Sequence, residues 1–186
     1  MSALPPKAED SVFAVQSSIV IDAPVDKVWS VLLDFPAYSE WSHAPDVTRV
    51  IAGYVLTCAH RRSQTVVDSA EQPLEEQTAK EGSFLYLTAN IPPSMDAKSR
   101  PSSTRLVVSH LDPENHRVAW TNRMPAWIMT TERWQWLTAT EDGKTKYETI
   151  EVFNGFLAYL VKWFVGSGLR QGFQAMADGL KARSEQ

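Results

Sequence analysis

The chain has 186 residues, 44% hydrophobic, enough for one domain with a sizeable core and too apolar for a disordered chain. Its 18 Lys and Arg against 22 Asp and Glu leave a net charge of −4, which argues against nucleic-acid binding, since that needs a concentrated basic surface. A single cysteine, Cys58, excludes an internal disulfide and suits a reducing compartment.

The first ten residues include Pro5, Pro6, Lys7, Glu9 and Asp10 and lack the apolar run of a secretory signal. Residues 1–12 read as a flexible leader. A first strand follows over 12–22, rich in Val and Ile. Pro24 suits an early helical position, Asp22 is a candidate cap, and Val25, Val28, Trp29 and Leu32 recur at helical spacing as far as Leu33. Phe35-Pro36 breaks that helix, and 38–41 supplies another short turn. A strand is expected over 47–58, with Gly53 as a bend.

Residues 59–80 are polar and aperiodic and read as a long loop or insertion. Strands are expected over 84–91, 104–111 and 116–122, the last two joined by the turn Asp112-Pro113-Glu114-Asn115. A second hairpin, 130–138 with 145–153, is built around Asp142-Gly143. A helix over 156–181 closes the chain. Leu157, Leu160, Val161, Phe164, Phe173, Met176 and Leu180 form its apolar stripe, which Gly166-Ser167-Gly168 should weaken or kink. The apolar run at its start, interrupted by Lys162, is too short to span a bilayer, so a cytoplasmic protein is expected.

Several local wordings recur together. They are Ile21-Asp22-Ala23-Pro24 with Val28-Trp29, Asp34-Phe35 with Tyr38, Trp41 and Pro45, and Leu111-Asp112-Pro113 with Val118 and Trp120. Glu151 with Gly155, and Gly172-Phe173 with Leu180-Lys181, complete the set. Over residues 13–186 the chain resembles the START-like superfamily, the helix-grip or pollen-allergen-like fold, in its polyketide cyclase/dehydrase-like branch. The resemblance implies a single α+β domain. Its curved antiparallel sheet would wrap around a long C-terminal helix and enclose an apolar cavity, with 59–80 as an insertion. That superfamily spans cyclases, dehydratases, lipid carriers and hormone receptors, and it carries over no common catalytic residue.

Candidate chemistry comes from the second hairpin. If Asp142 and Gly143 are its two loop residues, Trp134 stands opposite Glu151 and Glu132 opposite Phe153. Glu132, Trp134, Trp136, Tyr147, Thr149, Glu151 and Phe153 then share one face, the aromatic candidate for the interior. Glu132 and Glu151 become diagonal neighbours, and desolvation with mutual repulsion would suit one of them to proton transfer. The competing reading pairs each with an arginine: Arg105, Arg123 or Arg133. His43, in the loop after Trp41, is a third candidate for moving protons. Leu157, Leu160 and Phe164 are expected to complete the ligand wall, and Trp127 and Trp163 to lie near its mouth. His110 and His116 flank a turn and are expected to be exposed. Cys58 and His60 could supply two metal ligands, but no second pair completes a site, so no metal is expected.

The expected function is binding of a hydrophobic small molecule. It leans to a cofactor-independent cyclase, dehydratase or isomerase of polyketide-like metabolites. A non-enzymatic carrier of lipid or metabolite, and a regulatory module using the insertion, are the competing classes. No cofactor, nucleic acid or transmembrane segment is expected, and a homodimer is left open.

Overall fold

The computed structural model describes residues 4–41, 49–51, 54–56, 63–89, 102–122 and 124–186. Seven strands form one antiparallel sheet in the order β1-β9-β8-β7-β6-β5-β4. They are β1 (Phe13–Ile21), β4 (Ser63–Val67), β5 (Phe84–Ala89), β6 (Ser102–Asp112), β7 (Arg117–Asn122), β8 (Thr130–Ala139) and β9 (Thr145–Asn154). The short pair β2 (Arg49–Ile51) and β3 (Tyr54–Leu56) makes a separate ribbon where one strand was expected.

One sheet face is apolar because alternate residues turn to it: Ile21 on β1, Leu85 on β5, Leu106 and Val108 on β6, Val118 and Trp120 on β7. Over this face lies helix α4 (Gly166–Ser184), which buries Phe173, Met176, Ala177 and Leu180. Helices α1 (Val25–Leu33) and α2 (Tyr38–Trp41) close the same core with Val28, Leu32, Tyr38 and Trp41. Fully burying such a side chain contributes about 1.5–3 kcal/mol, so this sheet-and-helix layer dominates stability.

The start of α1 differs from expectation. Pro24 itself is the N-cap, and its carbonyl accepts from the Val28 N–H at 3.1 Å. The Asp22 side chain is not the cap; its backbone N–H instead donates to Glu185 at 2.8 Å. The insertion also differs. Ser63–Val67 is the edge strand β4, with Gln64, Val66 and Val67 buried, although 68–80 carries no regular strand or helix. Its Ser-Gln-Thr opening hid the period-two pattern. Within the expected leader, a 3-10 turn at Ala8–Asp10 sets the partly buried Ala8 on the outer sheet face beside Trp134 and Trp136.

The C-terminal helix is two helices. Helix α3 (Phe156–Phe164) ends at Val165, whose φ of −121° and ψ of −15° break the helical path before α4 starts at Gly166. The break falls where Gly166-Ser167-Gly168 weakens helix propensity. At the other end, Glu185 ties α4 to β1. The Asp22 N–H, then Lys181, hold its carboxyl below the usual range. Asp112, held low by Asn115, and Asp142, held low by the Thr140 hydroxyl, behave alike. A carboxylate depressed on folding contributes stability above its unfolded pKa and loses it as pH falls through the folded value. The melting temperature should therefore drop as pH goes below about 4, and Glu185→Gln should make that drop shallower.

Candidate functional site

The β8–β9 hairpin decides which side chains face α4. Its closing pair is Ala139 with Thr145, and the Thr140 N–H donates to Lys144 O at 2.9 Å. The loop is therefore three residues, Glu141 to Gly143, with Gly143 at a φ of 77°. Glycine in the left-handed position after a type I turn is the usual three-residue solution. The Thr140 hydroxyl reinforces it by hydrogen-bonding Asp142 and Lys144 O. Asp142-Gly143 is thus not a two-residue turn, and the register moves by one.

That single step moves one strand's side chains to the other face. Glu132 now pairs with Val152, Trp134 with Ile150 and Trp136 with Glu148. Trp134 and Trp136 pack on the outer face with Ala119, Ile150 and Val152, away from α4. Glu132 accepts the Trp134 indole N–H at 2.8 Å, and Glu148 accepts that of Trp136 at 3.1 Å. Glu132 and Glu151 point to opposite faces, so the expected carboxylate pair does not form.

The face under α4 carries Arg133, Gln135, Tyr147, Thr149, Glu151 and Phe153. Tyr147 is buried and packs with Leu137 and Met176, and Phe153 with Phe173. Thr149, buried, donates to Trp134 O at 2.9 Å. Arg133 and Glu151 are direct cross-strand neighbours. The Arg133 guanidinium lies 4.0 Å from the Phe173 ring and contacts Met176 Sδ at 3.2 Å. Tyr147 OH donates to Gln135 Oε1 at 2.6 Å.

Leu160 and Phe164 are exposed on α3 and line no interior wall; only the Leu157 side of α3 turns partly inward. The α3–α4 break separates this stripe from Phe173 and Leu180. His43, Arg123, Cys58 and His60 lie outside the described residues. His110 and His116 are half-buried rather than exposed. His116 Nε2 is 3.1 Å from Asp26, and the His110 ring stands 5.1 Å from that of Trp134. Trp127 and Trp163 are exposed.

The interior holds polar atoms that lack protein partners among the described residues: Arg133 Nε, Gln135 Nε2, both amide atoms of Gln64, and Trp41 Nε1. Arg133, Gln135 and Gln64 are at most 2% exposed. A buried polar group left unmet costs about 1–3 kcal/mol, so each marks a place suited to a polar guest. Arg133 and Gln135 stand on β8, and Gln64 stands on edge strand β4, with Trp41 on α2. Sequence reasoning missed Gln64 and Gln135 and took Arg133 only as an ion-pair partner. The signal was Thr140 ahead of Glu-Asp-Gly-Lys, which suits the longer loop.

A curved antiparallel sheet packed on a C-terminal helix, entered through a strand and helix pair, is the helix-grip architecture of START-like proteins. This chain belongs to the polyketide cyclase/dehydrase and lipid transport family, whose pattern matches residues 12–185. It is similar to oxopyrrolidines biosynthesis cluster protein O of Penicillium oxalicum, 23% identical over 200 residues, covering 93% of this chain and 87% of the fungal one. Among solved structures, a hypothetical protein of Helicobacter pylori has a TM-score of 0.66 at 13% identity, covering 99% of this chain and 97% of that one. The ZhuI aromatase/cyclase of a Streptomyces species has a TM-score of 0.57 at 16% identity, covering 92% and 93%. A START superfamily protein of Mycobacterium smegmatis has a TM-score of 0.56 at 15% identity, covering 92% and 97%. At these identities the structural likeness establishes the fold.

Proposed function

We propose that the protein binds an oxygenated polycyclic, polyketide-like small molecule between the sheet and α4. In this reading it acts as a cofactor-independent cyclase or dehydratase. The observation that carries the reading is the set of unpartnered polar atoms on the interior face: Arg133 and Gln135 on β8, Gln64 on β4. Aromatic and aliphatic neighbours would hold the rings, while the amides and the guanidinium would meet carbonyl or phenol oxygens. Family membership supports a polyketide-related ligand, and the fungal relative's place in an oxopyrrolidines biosynthesis cluster supports a small-molecule biosynthetic role.

In the proposed chemistry Arg133, permanently charged, stabilises an enolate or phenolate oxygen. Glu151, its cross-strand neighbour, takes or returns the proton. No role falls to Glu132, whose side chain lies on the outer face. A carrier would need the rings held but no proton moved.

Emodin, a hydroxyanthraquinone, is a suitable probe because it has fused rings and oxygens at both edges. Its binding should quench tryptophan emission, and Arg133→Met should weaken that binding roughly tenfold to a hundredfold. The same substitution in a melt should leave a cooperative transition. Binding by Arg133→Met as tight as wild type would sink the interior site.

A further inference from the structure

Apart from Lys162, helix α3 is apolar around its circumference, but it packs along only one side. Ala158 is buried, and Val161 packs with Phe13, Phe153 and Phe173. On the opposite side Phe156, Tyr159, Leu160, Trp163 and Phe164 are all exposed, Trp163 by 82% and Phe164 by 80%. At helical spacing these five fall within an arc of about 140°. Trp127, 76% exposed, adjoins the start of the helix, where its carbonyl accepts from the Phe156 N–H at 3.2 Å. A helix with apolar residues on both its inner and outer sides needs an apolar phase on each, and the protein supplies one.

The charge along this segment of the sequence is one-sided. From residue 152 to 177 the sequence contains no Asp or Glu, and its only charged residues are Lys162 and Arg170, in a chain of net charge −4. Trp and Tyr rings, apolar in body and polar at one edge, suit the headgroup boundary of a bilayer. Cations beside them suit anionic lipids. A two-fold contact between copies across the same face would bring like charges together with no acidic residue of this segment to meet them.

We propose that the exposed face of α3, with Trp127, docks the protein on the surface of an anionic phospholipid bilayer. The helix lies in the interface with Trp163 and Phe164 immersed in the acyl boundary, and Lys162 faces the headgroups. Docking is peripheral, since no described helix is long and apolar enough to cross a membrane. This goes beyond the interior site and needs no ligand there.

Flotation with vesicles of phosphatidylcholine, and of phosphatidylcholine mixed equally with phosphatidylserine, tests it. The wild-type protein should float with the mixed vesicles, its tryptophan emission shifting to the blue. Trp163→Ser with Phe164→Ser should weaken binding roughly a hundredfold without lowering the melting temperature, since both side chains are exposed. Lys162→Glu should weaken it roughly tenfold, on the mixed vesicles only. A wild-type protein that floats with neither vesicle, or a double variant that binds as well as wild type, overturns the proposal. So does a dimer that the double variant breaks in sedimentation while vesicle binding is absent; the face then belongs to a second copy. Equal flotation on both vesicle types overturns the anionic preference.

Discussion

Glu151→Gln is expected to slow turnover of a substrate the protein converts by roughly 10²–10⁴-fold, with binding little changed. The amide keeps the shape of the carboxylate and its acceptor oxygen but cannot carry the proton. Glu132→Gln, two strand positions from Trp134, should leave turnover at the wild-type level, because its side chain sits on the outer face holding the Trp134 indole. The pair of variants also reads the hairpin register. Equal slowing by both would restore the two-residue loop and overturn the three-residue one. Removing the carboxylate beside Arg133 also leaves a buried cation with less compensation, which alone lowers stability. Melting curves separate that effect: a variant that loses turnover only in proportion to its folded fraction shows Glu151 to be structural, and the carrier reading then gains.

Gly155→Ala is expected to cost about 3 kcal/mol or more, lowering the melting temperature by roughly 6–12 °C. Gly155 sits at a φ of 92° and ψ of 177°, a region that side chains avoid. An added Cβ would lie 2.7 Å from Ile128 O and 2.9 Å from Ala126 O. Those carbonyls belong to the turn whose Trp127 and Ile128 oxygens receive the first two N–H groups of α3. The methyl therefore pushes helix and turn apart. Gly143→Ala is the matched control. Its φ is 77° but nothing lies within 4 Å of the added carbon, so only backbone strain remains, about 1–2 kcal/mol. Equal losses in calorimetry would show that the close approach at Gly155 has no energetic weight.

Much of the scaffold was legible because it rests on local signals. The turn at Asp112-Pro113, the strands flanking it, the α1 spacing and the core positions of α4 all follow from short-range chemistry. The candidate site was not, because it hangs on one residue of loop length. Two-residue and three-residue loops both use Asp-Gly, and the choice exchanges Glu132, Trp134 and Trp136 for Arg133 and Gln135 on the interior face. A row of tryptophans reads as a core wall, whereas here it covers the outer sheet beneath the leader. Strand β4 was missed because Gln64, polar yet buried, looks like loop in sequence. The exposure of α3 was also hidden: Leu160 and Phe164 continue the stripe of Phe173 and Leu180, and only the break at Val165 turns them outward.

Strand β1 pairs along its whole length with β9, from Phe13 with Phe153 to Ile21 with Thr145. The first strand of the sheet is thus matched to its last in sequence, and α4, which also packs on β1, comes later still. During synthesis the ribosome must deliver everything from β1 through α4 before Phe13, Val15 and Ile21 find full cover. Until then an apolar strand with an open edge waits in the nascent chain, the condition under which folding is slow and chaperone capture is favoured. The closure that makes the interior is also the step that makes its assembly late.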